Sequence, residues 1–288
     1  MARANECMAS GIRTTESKQM TRGALIFAFN NEQTDYVAMA GWCARNIHRH
    51  LNIPVAVVTN SPDQARTYSS IDRVIQAVPE SGGTRYFEDY QSTVTWHNAG
   101  RVDAYSLSPW ERTLVLDADY VVASSQLNQL FETHQDFLCH RWAYDITGLN
   151  DFSGLNYFSR TNMPMWWATV MMFNKSTQAK TIFDIMNMAK HNWSHYRRLY
   201  GIAQSNYRND HALSIALNVV SGNTLSYTGI SWDLASLTTA HQLTQTDLDS
   251  YRVDFVNPAG RKQYITINNQ DFHAMGKQQL GAVVANHS

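Results

Sequence analysis

Two uninterrupted apolar runs near the start of the chain are separated by a segment of helical periodicity. The runs cover residues 24–29 and 54–59, and a third strand is predicted over residues 73–78. Apolar stretches without polar alternation are typical of strands that are buried on both faces, as in a parallel sheet covered by helices. Between the two runs, residues 35–51 place apolar side chains on one helical face. That face consists of Val37, Ala40, Cys43, Ala44, Ile47 and Leu51. The pattern predicts the strand–helix–strand beginning of an α/β fold.

The same alternation continues to the end of the chain. It predicts helices over residues 97–108, 125–132, 178–193 and 212–220, and strands over residues 112–122, 168–174, 251–256 and 264–267. Residues 139–167 show no period, and we expect a long functional loop there. No Pro/Gly/Ser-rich linker divides the chain. We therefore predict a single Rossmann-like α/β domain over residues 23–277, with a mixed, mostly parallel sheet flanked by helices. Residues 1–22 are predicted as a disordered leader and residues 278–288 as a C-terminal tail.

One apolar run ends in two carboxylates. Leu114, Val115 and Leu116 are followed by Asp117-Ala118-Asp119. Ligands of open α/β sheets bind just beyond the carboxyl ends of the strands. In an extended chain, residues i and i+2 point the same way, roughly 6–7 Å apart. Asp117 and Asp119 are therefore predicted to hold one Mg²⁺ or Mn²⁺ ion, whose remaining positions diphosphate oxygens and water would fill.

The chain contains a second pair of aspartates with the same spacing. Asp247 and Asp249 flank Leu248, but their surroundings are polar and no apolar strand precedes them. We therefore interpret the second pair as a surface turn. The buried strand before Asp117 distinguishes the predicted site from this chance repeat.

Composition narrows the class of protein without fixing it. The chain has 288 residues, 44% of them hydrophobic, and a formal net charge of -1. This balance does not require a nucleic-acid partner, although local basic patches stay possible. No apolar run reaches the ~18 residues that span a bilayer, and no secretory signal is visible. Three cysteines without metal-ligand spacing fit a reducing cytoplasm. The lack of a Gly-rich phosphate fingerprint disfavours dinucleotide enzymes and P-loop kinases.

Four further features are candidates for chemistry. Arg101 lies in the helix before the aspartate strand and is expected to contact a phosphate or a sugar hydroxyl. Asp145, in the aromatic and acidic segment 139–167, suits a polyhydroxylated ligand. Asp210 opens a helix, where a carboxylate is either a cap or a catalytic acid. Residues 190–198 interleave basic and aromatic side chains. That pattern fits either a nucleic-acid platform or an ordinary cationic helix end.

An ordered set of motifs runs along the chain: Ala28-Phe-Asn-Asn31, Leu114-Val-Leu-Asp-Ala-Asp119, the stretch from Trp167 to Asn174 with Asn209-Asp210-His211, and His273-Ala-Met-Gly-Lys277. Together they resemble the motifs of GT-A glycosyltransferases of the glycogenin and galactosyltransferase-like family. Leu114-Val-Leu-Asp-Ala-Asp119 is similar to the metal motif of that family, and Ala28-Phe-Asn-Asn31 stands where the family binds the nucleoside. The stretch from Trp167 to Asn174 and Asn209-Asp210-His211 resemble its acceptor-side strand and acidic helix start. His273-Ala-Met-Gly-Lys277 resembles its terminal motif, although Lys usually comes two residues later there. The resemblance covers residues 24–277 and implies a GT-A fold with an acceptor-side extension.

The resemblance also implies roles for individual residues. Asp117, Asp119 and His273 would bind Mn²⁺ or Mg²⁺, and Lys277 would hold the diphosphate of a nucleotide sugar, in most cases a UDP-sugar. Asp210 would lie beside the sugar or the acceptor and, with Asp145, is our candidate for catalysis. Donor binding is assigned to a further set at the strand ends and the preceding helix. That set is Ala28, Asn30, Asn31, Thr59 and Arg101.

The acceptor is predicted from a narrower resemblance. Residues 24–60 are similar to glycosyltransferases of T4-like bacteriophages, which include enzymes that add a sugar such as arabinose to hydroxymethylcytosine in DNA. The implied acceptor is such DNA in the host cytoplasm. No membrane partner is expected, and the sequence does not predict the oligomeric state. A lipopolysaccharide or cell-surface glycan is the alternative acceptor. A Mg²⁺-dependent nucleotidyltransferase or phosphohydrolase, and a non-catalytic carbohydrate- or nucleic-acid-binding protein, stay open as other classes; His273 and Lys277 favour the transferase.

Overall fold

The computed structural model describes residues 21–81, 83–87, 91–97, 99–160, 162–224, 227–238 and 242–287. The predicted leader lies largely outside them, since only its last two residues are described, and Arg22 already belongs to the first strand.

The described residues form strands of two to eight residues. In chain order the strands are β1 (Arg22–Ala28), β2 (Val55–Thr59), β3 (Arg73–Gln76), β4 (Thr84–Phe87), β5 (Ser92–Thr95), β6 (Arg112–Asp117), β7 (Tyr120–Val121), β8 (Phe137–His140), β9 (Ala143–Asp145), β10 (Tyr157–Phe158), β11 (Met163–Pro164), β12 (Trp167–Asn174), β13 (Leu234–Leu237), β14 (Gln242–Asp247), β15 (Ser250–Val256), β16 (Lys262–Asn268) and β17 (Phe272–Ala274).

The helices occupy the segments between these strands. The α-helices are α1 (Tyr36–Leu51), α2 (Pro62–Ala65), α3 (Ala104–Leu107), α4 (Thr177–His191), α5 (Trp193–Leu199), α6 (Asn209–Val220) and α7 (Lys277–Ala285). Short 3₁₀ helices cover Ala99–Asp103, Gln126–Glu132 and Ser153–Leu155. Asp35 caps α1 by accepting a hydrogen bond from the amide of Ala38 at 2.9 Å.

The central sheet confirms the predicted α/β class. Its strand order is β3-β2-β1-β6-β12-β8. Strands β3, β2, β1 and β6 run parallel, and β12 runs antiparallel to both β6 and β8. The sheet is therefore mixed and mostly parallel, with helices on both faces, as the apolar runs indicated.

The apolar run of β6 is buried on both sides of this sheet. Leu114, Val115 and Leu116 each have 0% exposed surface. Leu114 and Leu116 pack in the hydrophobic cluster that contains α1, whereas Val115 packs in the cluster that contains α4 and α6. Successive side chains of a strand point to opposite faces, so a strand inside a three-layer fold needs apolar residues throughout.

A second sheet brings the C-terminal part of the chain back to the central sheet. Its order is β7-β17-β13-β9, and β7 follows β6 directly across the turn at Ala118–Asp119. In β17, His273 is paired with Tyr120 of β7. A separate antiparallel sheet, β14-β15-β16, forms the predicted C-terminal strands.

Two segments differ from the sequence-based expectation. Residues 139–167 are not one long loop, because β9 and the β10–β11 hairpin lie within them. These strands have two or three residues each, too few to produce a detectable period. Residues 278–288, expected as a tail, include most of α7. That helix buries Leu280, Val283 and Val284 in the cluster that contains α1.

The buried imidazole of His140 yields a prediction on stability. His140 is fully buried in β8, and its Nδ1 donates a hydrogen bond to the carbonyl oxygen of Trp232 at 2.9 Å. Burial lowers the pKa of His140 to about 4, and the bond to Trp232 offsets only part of this shift. Below pH ~6.5 the imidazole of His140 is therefore protonated in the unfolded chain but stays neutral in the folded chain. The contribution of this pKa difference to stability is fully present above that pH and is lost as the pH falls towards 4.

We expect His140→Gln to reduce this acid sensitivity. Between pH 7 and pH 5, the free energy of unfolding should fall by about 2 kcal/mol less in H140Q than in the wild type. Urea unfolding at the two pH values measures the difference. His134→Gln, which removes an exposed imidazole, is the control and should keep the wild-type dependence. Equal pH dependence in H140Q and the wild type would contradict the prediction.

Candidate active site

The carboxyl ends of three neighbouring strands meet at one edge of the central sheet. Strand β6 ends at Asp117, which is paired in register with Phe27 of β1. The next residue of β1, Ala28, is paired with Thr59 at the end of β2. This edge is where open α/β sheets bind ligands, and it holds Asp117, Ala28 and Thr59, all of them predicted from the sequence.

Three metal-ligating side chains converge at this edge. The turn after β6 presents Asp119, and the pairing of β17 with β7 delivers His273. The Nε2 atom of His273 lies 3.3 Å from Oδ2 of Asp119 and 4.0 Å from Oδ2 of Asp117. One ligand atom from each residue falls within 4.8 Å of the others. Residues separated by more than 150 positions of sequence therefore form one cluster, as the motifs implied.

Two cations hold the carboxylates of this cluster. Lys277, the first residue of α7, forms an ion pair through Nζ with Oδ2 of Asp119. Arg101 forms an ion pair with Asp117 and donates a second hydrogen bond to the carbonyl oxygen of Ala168 at 2.6 Å. Only 2% of Arg101 is exposed, so its charge is compensated mainly by Asp117. The two aspartates and the two cations balance each other.

Burial sets the protonation of the remaining groups. It lowers the pKa of His273 to about 4, with the charge of Asp210 opposing and that of Arg101 reinforcing the shift. At neutral pH the imidazole is therefore uncharged, the form that binds a metal ion. Burial also lowers the pKa of Arg101 to about 10, against the opposing effects of Asp210 and Tyr207. Arg101 stays a cation throughout the physiological range.

Asp210 lies close enough to this cluster to act on its charges. It sits in the first turn of α6, where Oδ1 accepts a hydrogen bond from the amide of Ala168 at 2.9 Å. Its Oδ2 accepts one from Arg208 at 2.8 Å. Burial by itself raises the pKa of Asp210, but Arg208 and the Ala168 amide outweigh it, and the net pKa is lowered. Ala168 thus joins Asp210 to Arg101, because its backbone N–H binds the one and its carbonyl oxygen binds the other.

Asp145 occupies a different position in the second sheet. In register it is paired with Ser236, which is paired in turn with His273. Its Oδ2 accepts hydrogen bonds from the hydroxyl of Thr147 at 2.6 Å and from the amide of Asn150 at 3.0 Å. Burial raises its pKa, but these bonds outweigh that effect and the net pKa is lowered. Asp145 orders its own loop, two strands away from His273.

The polar loop after β1 is built by side-chain amides. Asn30 accepts a hydrogen bond from the amide of Val37 at 2.9 Å and donates one to Gln64 at 2.7 Å. Asn31 accepts from the amide of Thr34 at 2.8 Å. The hydroxyl of Thr59 accepts from the amide of Ser61 at 3.0 Å. These contacts join β1, β2, α1 and α2 beside the metal-ligating cluster.

Some contacts of this region were not predicted from the sequence. His211 is stacked on Phe158 at 4.7 Å between ring centroids and on Trp193 at 6.0 Å. Arg208 partners Asp210, and its position two residues away in sequence was the only available signal. The stack joins residues that are distant in sequence, so no local pattern announces it.

The second aspartate pair lies on the surface, as predicted. Asp247 is exposed at the end of β14 and accepts a hydrogen bond from the amide of Leu248. Asp249 interacts with Arg49 and with His50 at the end of α1. Metal-ligating groups of three or more residues occur in the described part of the chain only at Asp117, Asp119 and His273.

Comparisons with known proteins reach only the level of distant structural similarity. No protein-family model and no curated protein matches the chain. Among the described residues, no helix is both long enough and apolar enough to cross a bilayer. Several solved glycosyltransferases overlap with the chain at low identity. The glycosyltransferase GlyE of Streptococcus pneumoniae TIGR4 matches 73% of this chain and 45% of its own, at 13% identity and a TM-score of 0.42.

Two further structures give similar values. The galactosyltransferase LgtC, solved with donor and acceptor sugar analogs, has 17% identity and a TM-score of 0.43, over 68% of this chain and 70% of its own. Mouse xyloside xylosyltransferase 1 has 12% identity and a TM-score of 0.42, over 70% of this chain and 83% of its own. The chain spans less than half of GlyE.

Proposed function

We propose that this chain is a metal-dependent GT-A glycosyltransferase, which moves a sugar from a nucleotide sugar to a hydroxyl acceptor. The observation that carries the proposal is the convergence of Asp117, Asp119 and His273 at the carboxyl edge of a mostly parallel sheet. The arrangement of Lys277 and Arg101 on the two carboxylates supports it.

The ligand set of this cluster suits a divalent cation. Two carboxylates and one neutral imidazole fit Mn²⁺ or Mg²⁺, which prefer oxygen-rich sites and leave positions for phosphate oxygens and water. A bound cation would supply Lewis-acid stabilisation of the departing nucleoside diphosphate. Asp117, Asp119 and His273 would hold it, and the other side chains would orient the donor.

The charge balance of the site supports a diphosphate ligand. Asp117 and Asp119 are balanced by Arg101 and Lys277, and His273 is neutral. A divalent ion would leave an excess of two positive charges in a mostly buried site. The diphosphate of a nucleotide sugar carries two negative charges and would restore neutrality. Lys277, freed from Asp119, would then neutralise charge on the leaving group, which is the main electrostatic requirement of this transfer.

For the donor, we propose a UDP-sugar, either a hexose or a pentose such as arabinose. Ala28, Asn30, Asn31 and Thr59 would line the nucleoside end, because they lie at the strand ends beside the cluster. Arg101 and Asp210 would lie on the sugar side, and we keep Asp145 as a second candidate for catalysis on the acceptor side.

For the acceptor, we propose DNA that carries hydroxymethylcytosine, modified in the cytoplasm. Helix α5 supports a polyanionic acceptor, since Arg197 and Arg198 lie in its last turn and Tyr196 and Tyr200 flank them. Phosphate contacts dominate binding to nucleic acid, and stacking on aromatic rings adds to it. A hydroxymethyl group on a duplex base would reach the site after the base flips out.

A donor screen tests the function. Purified protein is mixed with individual UDP-sugars, Mn²⁺ or Mg²⁺, and DNA that contains either hydroxymethylcytosine or cytosine. We expect UDP release and a gain of one sugar mass on the modified nucleoside, and neither with the cytosine DNA. Chelation of the metal should abolish both signals.

Each alternative gives a different product. Transfer of UMP from the UDP-sugar, with release of a sugar 1-phosphate, would replace the proposal with a nucleotidyltransferase. Transfer to a lipopolysaccharide or cell-surface glycan alone would keep the sugar transfer and refute the DNA acceptor. Binding of the UDP-sugar or DNA without turnover, whichever metal ion is present, would refute the proposal that the chain is an enzyme.

A further inference from the structure

A cavity of about 210 Å³ lies beside the site, at the far end of α6. Arg141 lines the cavity, with its guanidinium 4.1 Å from the ring centroid of Trp142 and 4.9 Å from that of Tyr157. Trp166 forms another wall, and Asn218 and neighbouring polar residues at the end of α6 line the opposite side. The side chains of Trp142 and Tyr157 are 43% and 46% exposed, so large aromatic surfaces face solvent here.

The charge of Arg141 has no carboxylate partner among the described residues. Its Nη1 donates to the carbonyl oxygens of Asn156 at 2.9 Å and Met165 at 3.1 Å. Burial lowers its pKa, with Tyr157 opposing the shift. A partly desolvated guanidinium without a counter-ion favours an anionic ligand. Arg252 shows the contrast, because it also stacks on a tyrosine, at 4.1 Å, but is paired with Asp254.

Two elements connect this cavity to the metal-ligating cluster. At the start of β12, Trp166 is two residues from Ala168, whose backbone carbonyl oxygen and N–H contact Arg101 and Asp210. Two extended residues span roughly 7 Å. Along α6, Asp210 and Asn218 are separated by about 12 Å at the helical rise of 1.5 Å per residue. The cavity therefore lies roughly 7–12 Å from Ala168 and Asp210, which is one or two units of a polymeric acceptor away from the proposed position of sugar transfer.

Further unpaired arginines continue from the cavity to α5. In the β10–β11 hairpin, Tyr157 lines the cavity. Arg160, in the turn of this hairpin, lies close to Gly201 just after α5, since a Cβ atom added at Gly201 would be 2.9 Å from the side chain of Arg160. Arg160, Arg197 and Arg198 likewise form no ion pair among the residues that the structure describes. Charge and aromatic surface thus follow one path, from Arg141 across the hairpin to α5.

We propose that the Arg141 cavity is a subsite for one nucleotide of a single-stranded acceptor segment, next to the nucleotide that receives the sugar. Trp142 and Tyr157 stack against its base, and Arg141 binds its phosphate. This inference rests on the proposed function for the chemistry at the neighbouring nucleotide. The phosphate backbone is preferred to a neutral oligosaccharide because the unpaired charges of Arg141, Arg160, Arg197 and Arg198 match a polyanion.

The test measures binding without turnover. A labelled single-stranded oligodeoxynucleotide is titrated with the protein in EDTA and without nucleotide sugar, and its fluorescence anisotropy is followed at several salt concentrations. We expect Trp142→Ala to weaken binding about tenfold, as loss of one stacking partner does. Arg141→Gln should also reduce the slope of log K against log salt by ~0.7, the value for one phosphate contact on a single strand.

Matched controls separate this role from a structural one. Tyr264→Ala and Arg252→Gln disrupt the equivalent stack on β15 and β16, and both variants should bind like the wild type. Since Arg141 also holds two carbonyl groups, R141Q carries a risk of misfolding. Trp142 contributes an exposed ring, so W142A keeps the proposal falsifiable on its own.

Failure of the subsite and failure of the proposed function give different results. Wild-type affinity in W142A, or a neutral oligosaccharide that competes with the oligonucleotide for the cavity, would overturn the subsite even if UDP release with DNA persists. Weakened binding in W142A with unchanged controls would support the subsite even if no UDP-sugar is turned over.

Discussion

Replacement of Asp119 by Asn is expected to reduce sugar transfer by about three orders of magnitude or more. Asp119 contacts both His273 and Lys277, so its carboxylate joins the proposed metal ligands to the proposed diphosphate cation. The amide of Asn keeps the size of the side chain but removes its negative charge. Loss of a single preorganised electrostatic contact costs ~10²–10³ in turnover, and loss of a metal ion costs more.

The measurement is UDP release together with metal-dependent thermal stability. In the wild type, Mn²⁺ should raise Tm because an ion that binds only the folded state stabilises it. D119N should show no such increase. Asp247→Asn alters the exposed pair of the same spacing and should behave like the wild type in both assays. If D119N kept a tenth of the activity, the assignment of the metal site would be wrong.

Replacement of Arg101 by Met is expected to destabilise the fold by about 3–5 kcal/mol, because it leaves a partly buried carboxylate without its partner. Arg101 is almost completely buried and serves both Asp117 and the carbonyl oxygen of Ala168. The aliphatic chain of Met replaces the packing of the arginine stem, so the effect reports mainly the lost charge and hydrogen bonds.

Urea unfolding of the metal-free protein measures this effect. Arg66→Met removes an exposed pair with Asp63 and should change the free energy of unfolding by less than about 1 kcal/mol. The double variant R101M/D117N should recover part of the loss, since it removes the uncompensated charge as well. A cost below about 1 kcal/mol for R101M would show that the pair is not the main partner of Asp117.

The sequence predicted the central sheet because its physics is local. Both faces of β6 are covered, so Leu114, Val115 and Leu116 all have to be apolar. This requirement is visible in the sequence as an uninterrupted apolar run. The same run gave Asp117 and Asp119 their position at the strand end. The surface location of Asp247 followed from the absence of such a run.

Other parts of the site depend on contacts that leave no local pattern. His273 reaches Asp119 through the pairing of two very short strands, and only the motif resemblance indicated that meeting. The Arg141 stack joins Arg141 and Trp142, in the connection between β8 and β9, to Tyr157 of β10. The spacing of Leu280, Val283 and Val284 was visible, but it became informative only once α1 was known to lie against that helix.

His273 and Lys277 are translated more than 150 residues after Asp119, and this order affects when the cluster can form during synthesis. A ribosome-bound chain displays Asp117 and Asp119 long before these two residues are translated. Because α7 packs its apolar residues in the cluster that contains α1, this segment must leave the exit tunnel before it can dock. Until residues 273–277 have emerged, the nascent polypeptide therefore displays two of the proposed metal-ligating carboxylates without the imidazole that meets them.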